Sequence, residues 1–260
     1  MKLEFIVGFV ILLGYFAICA SGALALRRLA KVPKEVFRKT LHIILLGSIF
    51  IWTYVFQTWW VSAVAAIVFM ATVFPILSLA ERIPGYSELL TERKRGEIKR
   101  SLIVVFSMFA VLICVCWGWL GEQYLIIAAV FAWGLGDAAA ALVGKRFGQH
   151  YIEGRLVEGR KSLEGTFAMF VVSFFSVLIV LLARGAVYWY GYVPIALVTA
   201  AACSVVELYT KGGMDTLTCP FTAIVVMIPL IQFLYAVCGL HSPKCRTGGD
   251  YCLMDYIPTS

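Results

Sequence analysis

Charge is what this sequence has least of. Only 14% of its 260 residues are charged, against 62% hydrophobic, and the mean hydropathy is +0.90. That balance excludes a soluble globular domain and places the chain among polytopic membrane proteins. Metal-ligand spacing is missing too: no Cys/His run has the pattern of a zinc site, and Cys114 and Cys116, two apart on a helix, point to different faces. Cys19, Cys203 and Cys219 stand singly in or near apolar runs, as small apolar residues do. A Cys245 to Cys252 disulfide is open to an oxidising compartment, with Cys238 left over. No internal repeat is visible, which counts against a transporter built from two similar halves. The net charge of +7 reads here as basic loops flanking membrane spans and touching anionic headgroups, not as a nucleic-acid surface.

What the chain has instead is long apolar runs. They fall at about 5–26, 41–56, 59–79, 101–120, 124–143, 166–183, 192–208 and 217–239, each near the length that crosses a bilayer. The predicted fold is all-α and polytopic: one transmembrane catalytic domain over 1–240, with about eight helices, and a polar tail over 241–260. The first run is too long, and too weakly preceded by positive charge, for a cleaved signal peptide. Trp59 and Trp60 sit where an aromatic belt places them, and Pro75 is expected to kink the end of the third span. The charged run 92–100 reads as a linker or short helix lying along the surface. Of the 22 Lys and Arg, 18 lie in the loops after spans one, three, five and seven. Those loops are therefore expected in the cytoplasm and both termini outside it.

Chemistry collects in one stretch, 136–165. Asp137 lies near a membrane boundary, where an acid costs roughly 2.5 to 3.5 kcal/mol and is expected to have a partner, a metal or a cation. Gly144, Gly148 and Gly154 follow in the loop, then Gly159, Arg160, Lys161 and Ser162. Glycines let backbone N–H groups approach phosphate oxygens, and a helix starting at about Ser162 adds an anion-attracting end. The mixture suits a polyphosphate and its metal. Ala132, Gly136, Ala140 and Gly144 recur every four residues, a stripe that admits a second helix closely beside Asp137. Arg38 and His42 share a helix face, where they meet a phosphate or snorkel to headgroups. A tight turn after Glu207 leads to Asp215. Pro220 is expected in the first turn of the last helix, with Thr216 or Thr218 as its cap.

The runs 136–140, 144–148 and 159–165 together resemble the signature of the dolichol kinase and phytol kinase family of CTP-dependent membrane lipid kinases. Glu207 and the run 214–220 resemble that family's second motif, with Thr216 in place of the usual Asn and Met214 in place of a frequent Asp. Arg38, Lys39 and His42 resemble a further family feature. The resemblance implies transfer of the terminal phosphoryl group of CTP to a lipid alcohol, isoprenoid in type, at the cytoplasmic interface, with Mg²⁺. On this reading Asp137 and Asp215 hold the metal. Gly144, Lys145, Gly148, Arg160, Lys161 and Ser162 surround the nucleotide, Lys161 taking part in catalysis. Glu164 or Glu207 orients the metal or accepts the hydroxyl proton, and Arg38, His42 and Thr218 are further candidates. The rival readings are a phosphatidate cytidylyltransferase, a kinase acting on diacylglycerol, and a transporter. The first lacks support because Gly212 to Thr216 has neither the Arg nor the second Asp of a cytidylyltransferase run.

Overall fold

The computed structural model describes residues 2–30, 32–82, 86, 96–152, 157, 161–185, 189–211 and 213–237, the Trp189 side chain excepted. Within them the apolar runs form eight helices long enough to cross a membrane. They are α1 (Lys2–Leu29), α2 (Lys34–Gly47), α3 (Trp59–Ala80), α4 (Glu97–Leu112), α5 (Gln123–Phe147), α6 (Leu163–Arg184), α7 (Trp189–Tyr209) and α8 (Asp215–Val237). Two of them widen into π-helical turns before ending, α2 over Ile51–Val55 and α4 over Ile113–Trp119. In hydrocarbon every backbone group has to be satisfied inside the protein. Accordingly, the Ser62 hydroxyl donates to the carbonyl of Trp52 in the first wide turn at 2.8 Å.

Several boundaries move outward from the hydropathy limits. α2 starts seven residues earlier than its apolar run, directly after Pro33, because the polar residues of 34–40 contain no helix breaker and find partners inside the protein. α4 starts at Glu97, behind Gly96, whose positive φ of 80° suits glycine. Residues 97–100 are therefore the first turn of a membrane helix and not part of a separate surface segment, while 87–95 lie outside the described residues. α5 continues through Gly144 and Lys145 to Phe147, where two basic residues face the negative helix end. Pro75 sits inside α3, which runs on to Ala80. Pro220 sits inside α8 and not in its first turn, since that helix already begins at Asp215. Thr218 is not a cap, for its hydroxyl donates to the Met214 carbonyl at 3.1 Å.

The bundle is organised on α5, which packs against α2, α6, α7 and α8, while α1, α3 and α4 complete the other side. Lipid tails are as apolar as leucine, so association rests on close packing and polar contacts rather than on expelling water. On one side, Trp52, Phe69 and Phe106 lock together with ring centroids 5.0 to 6.3 Å apart. On the other, the small-residue stripe of α5 receives α6. A Cβ on Gly165 would stand 2.9 Å from the Ala140 carbonyl and 3.3 Å from the Gly144 Cα, so only glycine fits that crossing. Ser173 reinforces it, donating to the Ala132 carbonyl at 2.6 Å. At the far face, Glu4 accepts the amides of Gln57 and Thr58 at 2.8 and 2.9 Å and so ties α1 to the turn entering α3. Cys203 and Cys219 are not isolated: each sits against the other's carbonyl, 3.6 and 3.8 Å away, because α7 and α8 pack there.

Candidate active site

The starts of α2, α6 and α8 and the ends of α5 and α7 meet at one face of the bundle. Polar residues there have few apolar neighbours to displace and many backbone ends to satisfy. A cleft of about 610 Å³ opens among them, lined by Glu35, Arg38 and Lys39 of α2, Asp137, Gly144 and Lys145 of α5, Lys161 and Ser162, Gly165 and Thr166 of α6, and Glu207 of α7.

The acid at its centre is paired. Lys39 Nζ donates to Asp137 Oδ2 at 2.6 Å, with 8% and 20% of the two side chains exposed. His42 sits one turn further along α2, its Nε2 3.9 Å from the same oxygen and its ring edge-on to Trp133 at 4.9 Å. That nitrogen is buried and has no hydrogen-bond partner among the described residues. Glu35, Arg38, Lys39 and His42 occupy positions i, i+3, i+4 and i+7, one polar face of α2. Sequence reasoning gave Arg38 and His42 as candidates, quoted Lys39 only as part of the family-like run and assigned it no role, and passed over Glu35, although this spacing was there to find it.

The second wall comes from the turn between α5 and α6. Tyr151–Ile152 (β1) and Lys161–Ser162 (β2) pair antiparallel, which brings Ser162 back over α5. Its hydroxyl accepts from Gly165 N at 3.1 Å, an N-cap that ends the strand and begins α6. Lys161 points the other way. Its Nζ donates to Glu207 Oε1 at 2.9 Å, to the Glu207 carbonyl, and to the Thr210 carbonyl at 3.5 Å. The lysine thus fastens the turn to the end of α7. Glu164 faces away from the cleft, its carboxylate holding His150 through the backbone N at 3.2 Å and Nδ1 at 2.7 Å. Lys145 reaches Glu35 at 3.3 Å and is 68% exposed, and Arg38 pairs with Glu35 and lies 3.9 Å from Glu97.

Asp215, the first residue of α8, lies within electrostatic reach of Asp137, Glu207 and Lys39, so the two acidic stretches converge. Thr218 shares a hydrogen bond of 3.1 Å with Thr210 and holds α8 to the end of α7. Gly144 is helical and faces Ser162 and Gly165, and Gly148 lies beside Ser162. Arg160, Gly154 and Gly159 lie outside the described residues.

Fold and cleft together define a multi-pass membrane enzyme whose cleft-lining charged groups gather at one end of the helix bundle. The chain is similar to the phytol kinase of Synechocystis sp., with 32% identity over 216 residues, which is 79% of this chain and 84% of that protein. It belongs to the phytol kinase family and is a lipid kinase. No family model and no solved structure matches it.

Proposed function

We propose that the protein phosphorylates an isoprenoid-type lipid alcohol with CTP and Mg²⁺ at the cytoplasmic face of the membrane. The observation that carries this reading is the cleft itself. Four separate stretches of sequence deliver to it Lys39, Asp137, Lys161 and Glu207, and it opens where the ends of several helices meet. Phosphoryl transfer asks chiefly for positioning and for positive charge around the migrating group. Such a cleft offers both.

The donor set suits magnesium. Among the described residues no group of three or more His, Cys, Asp and Glu stands close enough to cage a metal. Magnesium needs no such cage, since one or two carboxylates suffice when phosphates and waters complete its shell. Asp137 and Asp215 are the carboxylates we assign to it. When bound, the metal neutralises charge on the phosphate oxygens. Lys145 supplies countercharge at the mouth, Arg160 is assigned to the phosphates as well, and Lys161 contributes its charge from the wall while fixing Glu207.

Glu207 is 9% exposed and lines the cleft, whereas Glu164 is engaged with His150 outside it. We therefore assign Glu207 to the lipid hydroxyl, whose proton it accepts as the oxygen attacks the terminal phosphorus and the bond to the nucleoside diphosphate breaks. The apolar tail enters beside Thr166, where Leu163 and Phe167 are 56% and 66% exposed.

Incubation of the purified protein with lipid alcohols and doubly labelled CTP tests the proposal. Terminal phosphate in the lipid and free CDP are expected. Cytidine in the lipid would make the protein a cytidylyltransferase, and label only in diacylglycerol, or only from ATP, would replace the acceptor or the donor. Solute movement without nucleotide turnover would favour a transporter.

A further inference from the structure

Four cations line the cleft among the described residues, Arg38, Lys39, Lys145 and Lys161, and they are not equivalent. Arg38 is committed to Glu35, and Lys145 is mostly in solvent. Lys161 is buried deeper, but an ammonium has only three N–H groups. Three acceptors already surround them: the Glu207 carboxylate and the carbonyls of Glu207 and Thr210. Two of these belong to the main chain and cannot swing away. Lys39 differs. Its side chain is 8% exposed, it lines the cleft, and among the described residues it meets one acceptor, Asp137 Oδ2 at 2.6 Å. Two of its N–H groups are left unspent, and burying an ammonium with incomplete hydrogen bonding is costly.

The chemical group that completes such a shell is an anion with several acceptor oxygens, arriving from the cleft side. We infer that Lys39 is a phosphate-binding lysine of this enzyme: a polyphosphate in the cleft accepts its two unspent N–H groups while Asp137 keeps the third. Asp137 then positions Lys39, holding the ammonium extended and charged before ligand arrives. The inference rests on the reading of the cleft as a nucleotide site and adds to it a lysine from α2, 98 residues from Asp137 in sequence.

The test is CTP binding by calorimetry with EDTA present, so that no metal contributes. The double variant Lys39→Met with Asp137→Asn removes one charge of each sign, which leaves the net charge of the cleft unchanged and strands no partner. Its CTP dissociation constant is expected to rise roughly 10- to 100-fold, the effect of losing one or two hydrogen bonds to a charged group. Inorganic triphosphate, used as a competitor, should weaken by a similar factor because the contact is with phosphate and not with the base. A double variant that binds CTP like the wild type overturns the inference, as does a loss for CTP without one for triphosphate. Wild-type protein that binds neither CTP nor ATP overturns the nucleotide reading itself, and the inference with it. Should the double variant fail to fold, Lys39→Arg decides. It keeps the ion pair but not the point-charge geometry, so kcat is expected to fall roughly tenfold with the melting temperature retained, and an unchanged kcat would refute the role.

Discussion

Replacing Asp137 by asparagine separates two effects of one carboxylate. The side chain holds the Lys39 ammonium at 2.6 Å in a place where only 8% of the lysine side chain is exposed. Removing one partner of a buried pair leaves the other charge uncompensated, which costs roughly 3 to 5 kcal/mol. Here the lower figure applies, because Asp137 keeps 20% exposure and the cleft admits water. Asp137→Asn should therefore lose about 3 kcal/mol of stability. Its phosphoryl-transfer rate per folded molecule should also collapse, since an amide is a poor magnesium ligand. Thermal unfolding in detergent, followed by tryptophan fluorescence, reads the first effect, and labelled-phosphate transfer reads the second. Pairing the variant with Lys39→Met in a double-mutant cycle isolates the interaction, which should amount to roughly 0.5 to 3 kcal/mol for residues in contact. An Asp137→Asn protein that melts with the wild type, or a double variant whose loss equals the sum of the two singles, would refute the pairing as a source of stability. Normal turnover per folded molecule would sink the catalytic assignment.

Gly165→Ala should destabilise the protein by roughly 1 to 3 kcal/mol, because the new methyl meets the Ala140 carbonyl at 2.9 Å and that backbone cannot yield cheaply. Gly22→Ala on α1, with nothing within 4 Å of the added carbon, should be neutral or stabilising by up to about 1 kcal/mol, and melting curves of the two proteins check the contrast. For topology, a cysteine in place of Gln149 should react with an impermeant maleimide only from the cytoplasm and tags at both termini only from outside. Termini reached from the cytoplasm would invert the arrangement and detach the cleft from its nucleotide supply.

Much of the architecture was legible in the chain because a bilayer admits few solutions. Helices must be long, apolar and internally hydrogen-bonded, so the spans stand out from composition alone. The stripe from Ala132 to Gly144 announced a close helix neighbour, and α6 is that neighbour, meeting it at Gly165 and Ser173. Element ends were less legible. Lys34 to Thr40 and Lys145 to Phe147 are helical although polar, since helix propensity and partners in the cleft outweigh the hydropathy on which span limits were drawn. Gly144, read both as the last member of the helix stripe and as a glycine of the loop, lies inside α5 and faces Ser162 and Gly165, so the helix reaches further than the apolar run did.

Sequence by itself determined that this is a bundle of membrane helices with an acid, a basic turn and a second acidic turn near the ends of its spans. Local periodicity determines which residues share a face, so it could place Lys39 beside Arg38 and His42 on α2. Only the tertiary structure decided that Asp137 takes Lys39, that Lys161 takes Glu207, and that Glu164 turns outward to His150. Those choices depend on which helices are neighbours and on their rotation about their axes, quantities set by packing across 98 and 46 residues of chain and invisible to any pattern a few turns long.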